Sequence, residues 1–490
     1  MRRVRCLLGT GGGGRMSAPA MTDLIARLGG PGPRPAERPA FLIIRADEHA
    51  GRIDAFARLR RREFVQRQGL FAAGDSDEHD GAPHTRVLVA VTGTGEVLGG
   101  VRLHPEGDPA LGWWRGSRLV CERSARSSRG HVGAALVAAA CAEAVAAGAL
   151  RFDAHVQGAH ADFFARLGWS AVRSLRVAGM EHLLMRWPID RFEQLAGETK
   201  APLGSLLAGL LDDPDGFGAD DGVPVPGSSL IAATDAILPA MVDRDPEWAG
   251  WCGMLVTAHD LSAMGAAPVG ALDAIAARDA AHARRIVEGL RAGSRVFALP
   301  VLGGHTQLGA PGALSVTGLG STADPVPAAG GTPGDGLTLT ADLEGGWRPG
   351  YQGRQWDSTS LRSRPDLAMM LSAVGRARPR AAKDVSMAGI VGTVGMLAES
   401  SGCGAELDVA SIPRPPRASA ADWLTCFPGF AMLTADRRDA PPLAAGPATG
   451  ALCGELVQRP GVRLRWPDGE ITEALAGPVT GIPSREDVQR

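Results

Sequence analysis

The amino-acid sequence predicts a multidomain protein of mixed α+β and α/β architecture, in which strands alternate with helices. Its 490 residues are enough for about three domains. Hydrophobic residues make up 45% of the chain and charged residues 21%, which are ordinary proportions for a globular protein. A Pro- and Gly-rich stretch, Asp324–Gly336, separates two regions of alternating strands and helices.

Changes in composition set the predicted domain boundaries. The first segment is rich in Gly, Pro and Arg and too poor in apolar residues to form a core, so we expect it to be disordered. The predicted organisation is a disordered tail (1–40), an N-terminal domain (41–190), a linker (191–215), two further domains (216–328 and 329–480) and a short tail (481–490).

Apolar runs and turn signals define the N-terminal domain, which is predicted as a mixed sheet with helices. Gly93-Thr-Gly-Glu96 is a hairpin signal between the first two long strands, and Leu167-Gly168 ends the last helix. The predicted strands are Arg86–Thr92, Val97–Leu103, Arg118–Glu122, Phe152–Val156 and His182–Trp187. The predicted helices are Val132–Ala147 and Ala161–Arg166.

The two later domains show the same alternation of apolar runs and longer helical patterns. The predicted strands are Leu230–Thr234, Val269–Ala276, Val296–Leu302, Leu314–Gly318, Leu337–Leu343 and Ala405–Val409. The predicted helices are Trp248–Met264, Asp279–Arg291, Asp366–Val374 and Met387–Ser400.

Charge and composition exclude several classes of function. The formal net charge is −2 and aromatic residues make up only 5%, which argues against nucleic-acid binding. No apolar run approaches the ~18 residues of a membrane span or the ~7–15 residues of a secretory signal core. The seven cysteines are scattered without a C-x-x-C pair, which is typical of reduced thiols. We therefore expect a soluble cytoplasmic protein that acts on small molecules.

Lysine is nearly absent from the chain. Lys200 and Lys383 are the only lysines among 51 basic residues, and neither follows a Gly-rich loop. This excludes the P-loop and the lysine-containing strand of protein kinases. We therefore expect any nucleotide chemistry to rely on acids, metal and backbone, without lysine.

A loop of small residues precedes the first long helix of the N-terminal domain. In Arg129-Gly-His-Val-Gly-Ala134, backbone N–H groups can approach a pyrophosphate at the positive end of the helix dipole. By itself the pattern also fits a purely structural helix cap. A second, more specific segment, Phe163-Phe-Ala-Arg-Leu-Gly-Trp169, follows downstream.

With both segments, residues Phe41–Pro188 resemble the GNAT family of acyl-CoA-dependent N-acetyltransferases. The resemblance implies that this domain binds acetyl-CoA and acylates a small-molecule amine. His131 stands where the family has its first loop glycine, and the only tyrosine, Tyr351, lies outside the domain, so the family's tyrosine acid is absent. The cofactor-binding residues implied are Arg129, Gly130, His131, Val132, Gly133, Ala134 and Phe164.

Two residues of the N-terminal domain are candidate catalytic bases. Glu122 ends the strand before the loop, and His155 lies on the next strand. The unperturbed pKa of histidine suits removal of a proton from an ammonium near neutral pH. Either residue also fits a polar side chain at a strand end with no catalytic role.

Aspartates recur at unusual points of the later domains. Asp220 and Asp221 precede a predicted strand, and Asp235 follows it. Asp260 interrupts an apolar helix, and Asp384 begins the motif Asp-Val-Ser-Met-Ala-Gly. Because a buried carboxylate is costly unless it is paired or metal-bound, we predict that these five acids gather around Mg²⁺ and hold ATP phosphates. Each acid alone also fits a cap or a turn.

These motifs resemble the superfamily of AIR synthase, thiamine-monophosphate kinase, selenophosphate synthetase and the carbamoyl-dehydrating hydrogenase maturation protein, over about residues 216–478. The segments His259-Asp-Leu-Ser-Ala-Met-Gly-Ala-Ala-Pro268 and Gly303-Gly-His-Thr306 complete the match. The resemblance implies an N-terminal α/β half, a C-terminal α+β half, ATP in the groove between them, and a homodimer through the N-terminal halves. Gly303 and Gly304 are expected to form a tight turn, with His305 or Thr306 near phosphate.

The whole chain thus resembles the nitrogen-starvation-type acetyltransferase fused to an AIR synthase-related domain. We predict a bifunctional biosynthetic enzyme with acetyl-CoA, ATP and Mg²⁺ as cofactors, acting on a small-molecule amine and a phosphoryl acceptor. Two alternatives stay open. In the first alternative, the chain is a regulatory protein that binds acetyl-CoA and ATP without turnover. In the second, it is an active acetyltransferase whose second half is catalytically silent and serves for dimerisation.

Overall fold

A computed structural model describes residues 41–46, 49–122, 131–210, 217 and 220–482. The predicted tail 1–40, most of the tail 481–490, and loop residues Arg129 and Gly130 lie outside the described residues. Mixed sheets covered by helices build the chain, in agreement with the predicted fold class.

The N-terminal unit is a seven-stranded mixed sheet with the order β1-β2-β3-β4-β5-β7-β6. Its strands are β1 (Leu42–Arg45), β2 (Arg86–Val91), β3 (Val97–Pro105), β4 (Trp113–Cys121), β5 (Arg151–Gln157), β6 (Ser170–Val177) and β7 (Met180–Trp187). Its helices are α1 (Ala50–Arg60), α2 (Val132–Ala146) and α3 (Ala161–Arg166).

β4 and β5 are parallel, and they diverge along their length. Only Trp113–Gly116 pairs with Arg151–Ala154, although both strands continue beyond these residues. A bulge in β4 at Arg118, whose φ is +56°, coincides with the divergence. The separated ends leave a gap in the sheet beside the start of α2.

The second unit is a five-stranded sheet with the order β11-β10-β12-β9-β8. Its strands are β8 (Val223–Pro224), β9 (Leu230–Ile237), β10 (Ala267–Ala277), β11 (Val301–Leu308) and β12 (Ala313–Ser321). Before it the chain forms α4 (Arg191–Thr199) and α5 (Leu203–Leu207), and within it α6 (Pro239–Arg244), α7 (Pro246–Ala263) and α8 (Ala280–Val296).

α7 is the central helix of this unit and is buried on nearly all sides. It contacts α8 closely, because a Cβ added at Gly250 or Gly289 would clash with a carbonyl oxygen of the other helix. Asp279 caps α8 by accepting a hydrogen bond from the backbone N–H of His282 at 2.8 Å. In the described ranges, no helix combines the length and hydropathy needed to cross a membrane.

The third unit is a seven-stranded sheet with the order β16-β19-β13-β20-β17-β21-β22, beside a small sheet β14-β15-β18. Its strands are β13 (Gly336–Ala341), β14 (Gly346–Trp347), β15 (Gln355–Asp357), β16 (Ala381–Asp384), β17 (Gly404–Asp408), β18 (Phe427–Pro428), β19 (Ala431–Asp436), β20 (Thr449–Val457), β21 (Gly461–Arg465) and β22 (Ile471–Leu475). Its helices are α9 (Arg364–Leu371), α10 (Ala373–Ala377), α11 (Gly389–Ser400) and α12 (Ala420–Thr425).

Two segments differ from the elements that the sequence predicts. The predicted strand Val296–Leu302 is wrong, because α8 continues to Val296 and β11 begins at Val301; Pro300 separates the two. The predicted linker contains a helix, α4, whose Phe192 and Ala196 are buried in the core of the third unit. Residues 191–199 are therefore packed structure.

A buried ion-pair network joins the N-terminal unit to the third unit. The Arg151 guanidinium donates to both carboxylate oxygens of Asp468, at 2.8 and 2.9 Å, and to Asp153 at 2.7 Å. It also lies over the rings of Trp113 and Trp466, at 4.2 and 5.6 Å from the centroids. Because Arg151 and Asp153 are both almost fully buried, this network fixes the contact between the units.

Candidate functional site

Three of the five predicted metal ligands meet where the second and third units contact each other. Asp221 lies just before β8, Asp260 is in the last turns of α7, and Asp384 ends β16. One carboxylate oxygen from each lies within 4.8 Å of the other two. α7 packs directly against β16, which brings the acids of separate units together. We call Asp221, Asp260 and Asp384 the acid cluster.

Burial and mutual repulsion define the electrostatics of the acid cluster. Asp260 and Asp384 are 8% and 3% exposed. Burial raises the pKa of Asp260 well above its ordinary value, and the neighbouring carboxylates of Asp235, Asp384 and Asp221 raise it further. Burial and the carboxylates of Asp221 and Asp235 do the same to the pKa of Asp384. Carboxylate oxygens are the donors that Mg²⁺ prefers, so the three converging acids fit Mg²⁺.

Asp235 joins the edge of the acid cluster from β9. Its side chain forms a hydrogen bond with Asp260, and its charge acts on both Asp260 and Asp384. Asp235 is thus a further candidate ligand, next to the three acids whose oxygens already converge.

Lys383 lies inside this site, so the expectation of a lysine-free site is wrong. The Lys383 ammonium is 2.5 Å from Oδ1 of Asp221, and the residue is only 3% exposed. The charges of Asp221 and Asp220 raise its pKa against the opposing effect of burial, so Lys383 is charged. The backbone N–H of Asp384 donates to Oδ2 of Asp221 at 2.9 Å, which fixes the orientation of that carboxylate.

Asp220 lies beside the acid cluster and forms a hydrogen bond with the backbone of the connection between the second and third units. Its Oδ1 accepts this bond from the backbone N–H of Ala328 at 2.7 Å. The carboxylate of Asp220 also acts on the charge of Lys383. The three converging oxygens do not include one from Asp220.

The tight turn predicted at Gly303 and Gly304 is wrong, whereas the phosphate contact predicted for His305 or Thr306 stays a prediction. Gly303, Gly304, His305 and Thr306 belong to β11, and each is exposed. β11 pairs in parallel with β10, which places Gly304 beside Asp273 in the sheet. Across the sheet, Gly304 is three strands from Asp235, about 14 Å at the usual strand spacing. Within one chain these residues do not reach the acid cluster.

The N-terminal unit contains a cavity of about 520 Å³ between the diverging ends of β4 and β5. Its wall includes the first residues of α2 and one side of α3. The predicted residues that line it are His131, Val132, Gly133, Ala134, His155 and Phe164. Glu122 does not line this cavity; its carboxylate accepts from Arg62 at 2.9 Å on an exposed surface.

Histidines are concentrated in the wall of this cavity, which holds six of the eleven in the chain. Burial and the nearby charge of Arg115 together lower the pKa of His155 to about 4, so its imidazole is neutral at neutral pH. His131 adopts φ +94°, a left-handed conformation that glycine adopts without strain. Sequence reasoning identified His131 and His155 but missed the other four cavity histidines.

His79, His104 and Glu106 form a second group of potential metal ligands near the cavity. The two imidazole rings are stacked, with centroids 3.6 Å apart and planes 16° from parallel. Because a metal ion binds in the plane of an imidazole ring, the lone pairs of two stacked rings do not converge on one ion. The Glu106 carboxylate is also 3.3 Å from the Arg115 guanidinium. This group is therefore not a metal centre in the observed arrangement.

Comparison with known proteins matches the second and third units. The model of the AIR synthase related protein, N-terminal domain, matches residues 218–322, and that of the C-terminal domain matches residues 333–440. An uncharacterized protein of Synechocystis is 33% identical over 225 residues, which cover 44% of this chain and 70% of that protein. An uncharacterized protein of Methanocaldococcus jannaschii is 29% identical over 243 residues, covering 46% and 73%.

Among solved structures, the thiamine monophosphate kinase of Aquifex aeolicus is similar to this chain. It is 18% identical, and the match covers 55% of this chain and 95% of the kinase, with a TM-score of 0.41.

Proposed function

The chain belongs to the AIR synthase related family through residues 218–440, and from this premise we propose that these residues form an Mg²⁺- and ATP-dependent phosphoryl-transfer unit. The observation that carries the proposal is the convergence of Asp221, Asp260 and Asp384 from separate units. Bound Mg²⁺ at such a site neutralises charge on phosphate oxygens.

The residues of the chain have distinct roles in this proposal. Asp260 and Asp384 supply buried carboxylate oxygens, and burial together with the neighbouring carboxylates raises their pKa values. Asp221 is held in one orientation by Lys383 and by the N–H of Asp384. Preorganised ligands of this kind avoid the cost of ordering side chains when the nucleotide binds.

The same part of the chain is proposed to form a homodimer. β11 is an edge strand with every residue exposed, and it includes the apolar side chains of Val301, Leu302 and Leu308. Long exposed apolar edges tend to pair with another chain. Sedimentation equilibrium is expected to give twice the chain mass, and a charged substitution, Leu302→Lys, is expected to shift the protein toward monomer. A wild-type monomer would contradict the proposal.

ATP turnover tests the phosphoryl-transfer proposal. Asp260→Asn keeps the size of the side chain and removes one charged ligand, so we expect it to abolish Mg²⁺-dependent ATP turnover while the circular dichroism spectrum stays unchanged. Asp273→Asn, on β10 outside the acid cluster, is the matched control and is expected to retain turnover. Unchanged turnover in Asp260→Asn would show that the metal site is assigned wrongly.

A second candidate function, acetyl-CoA-dependent acylation of a small-molecule amine, is proposed for the N-terminal unit. The strand order, the gap between β4 and β5, and the start of α2 at that gap support it. A helix N-terminus at a cavity suits a pyrophosphate. Neutral His155 in the wall is the candidate base.

Calorimetric titration with acetyl-CoA tests this second function. If His155→Gln lowers turnover but leaves the affinity for acetyl-CoA unchanged, the role of His155 as a base is supported. No heat at millimolar acetyl-CoA would count against the function. Binding of acetyl-CoA and ATP with no product over hours would favour the regulatory alternative.

A further inference from the structure

Lys383 is a buried positive charge within the acid cluster. We propose that Lys383 takes the place of a second divalent cation, so that the acid cluster binds a single metal ion per chain. This inference rests on the proposed metal-dependent function. It defines how many ions the site accepts, which neither the family match nor the acid motifs specify.

The contacts of Asp221 support a single ion. Two-metal sites are usually held by ligands that bridge ions about 3.5–4 Å apart. In Asp221, Oδ1 accepts from the Lys383 ammonium at 2.5 Å, and Oδ2 accepts from the backbone N–H of Asp384 at 2.9 Å. With a partner on each oxygen, Asp221 retains lone pairs for one ion but is poorly placed to bridge two.

The charge of the site points in the same direction. Asp235 and the acid cluster supply four carboxylates, and Lys383 offsets one of them from within the cluster. The charge of Lys200, the only other lysine, also acts on Asp384. Both lysines of a chain with 51 basic residues therefore act on this site.

The choice of lysine over arginine has a physical reason. An ammonium is a compact point charge, whereas the planar guanidinium of arginine binds both oxygens of a carboxylate at once. At Asp221 such a pair would compete with the N–H of Asp384 for Oδ2 and would leave fewer lone pairs for a metal ion. Lysine supplies the positive charge and leaves the second oxygen to the backbone.

Counting bound Mn²⁺ tests the inference without reference to activity. Titration of the full chain, with free Mn²⁺ measured by electron paramagnetic resonance and no nucleotide present, gives the number of ions per chain. We expect one tightly bound ion for the wild type. Lys383→Met and Lys383→Gln, which remove the charge, are expected to bind a second ion about tenfold or more tighter than the wild type does. Arg380→Met, which removes a positive charge paired with Asp335 outside the acid cluster, is the matched control and is expected to bind one.

Each outcome separates this inference from the proposed function. Two tight ions on the wild type, or one ion on both neutral variants, would overturn the role of Lys383 and leave the metal site intact. No tight ion on the wild type would overturn the metal site itself. If Lys383→Met does not fold, Lys383→Gln carries the comparison, because its amide keeps a hydrogen-bond donor without the charge.

Discussion

Replacing Asp260 by Asn is expected to stabilise the metal-free protein while removing its response to Mg²⁺. In the acid cluster, the converging oxygens of Asp221, Asp260 and Asp384 lie within 4.8 Å of one another. Two unit charges at that separation repel by about 3 kcal/mol at an effective dielectric constant of about 20. Retained protons and Lys383 reduce this repulsion, so we expect Asp260→Asn to gain about 2 kcal/mol in EDTA at mildly alkaline pH.

The sign of the pH dependence follows from the raised pKa values. For Asp260 and Asp384 the folded-state pKa lies above the unfolded value of about 4. Their contribution to stability is therefore fully present below the unfolded pKa and is lost as pH rises through the folded values. Within that window each group lowers the free energy of unfolding by about 1.4 kcal/mol per pH unit. Asp260→Asn therefore removes the contribution of one of these two groups to the pH dependence of the free energy of unfolding.

Urea unfolding of the full chain, in EDTA and in excess Mg²⁺, measures these effects. Mg²⁺ is expected to raise the unfolding midpoint of the wild type and of Asp273→Asn, but not that of Asp260→Asn. Burial also raises the pKa of Asp273, which makes it a suitable control outside the acid cluster. A variant less stable than the wild type in EDTA, or an equal gain from Mg²⁺ in both, would refute the repulsion argument.

Three further predictions concern the N-terminal unit. Arg151→Met removes a partner of the buried Asp153 carboxylate and is expected to lower the free energy of unfolding in urea by about 3–5 kcal/mol. Arg173→Met, at the exposed Arg173–Glu470 pair, is expected to lower it by about 1 kcal/mol or less. His131→Gly is expected to raise stability by about 1 kcal/mol, because glycine adopts φ +94° without strain; a loss would contradict the strained conformation. Because the pKa of His155 is depressed to about 4, this residue contributes stability that is present above pH 6.5 and is lost as pH falls toward 4. NMR titration is expected to find its imidazole neutral at pH 6.

Local patterns predicted the helix that carries Asp260, α7, but neither β8, which follows Asp221, nor β16, which ends at Asp384. The alternation of apolar runs predicted β9, α7 and β10 within a few residues, and the bounds of α3 agree with the prediction. Asp221, Asp260 and Asp384 were identified because each interrupts or borders an apolar segment. Such placements are costly unless the side chains share a common partner.

The role of Lys383 could not be predicted from local patterns. Lys383 was set aside because it does not follow a Gly-rich loop, and successive residues of a strand point to opposite faces, so its place next to Asp384 in the sequence does not indicate a shared site. The long lysine side chain reaches Asp221, which is distant in the sequence. The turn at Gly303 and Gly304 was expected from the family resemblance, whereas their parallel pairing with β10 is a non-local contact that the sequence pattern does not show.

One missed element did carry a signal in the sequence. In the predicted linker, Phe192, Leu195 and Ala196 have the spacing of one helix face, and that face is where α4 packs on the third unit. The surrounding polar residues hid this short pattern.

The most direct test of the metal site is the anomalous diffraction of Mn²⁺ in crystals of the full chain grown with a non-hydrolysable ATP analogue. We expect an anomalous peak about 2.2 Å from carboxylate oxygens of Asp221, Asp260 and Asp384, with analogue phosphates on its open side. A peak at other residues, or clear density for the analogue away from these three aspartates, would contradict the account.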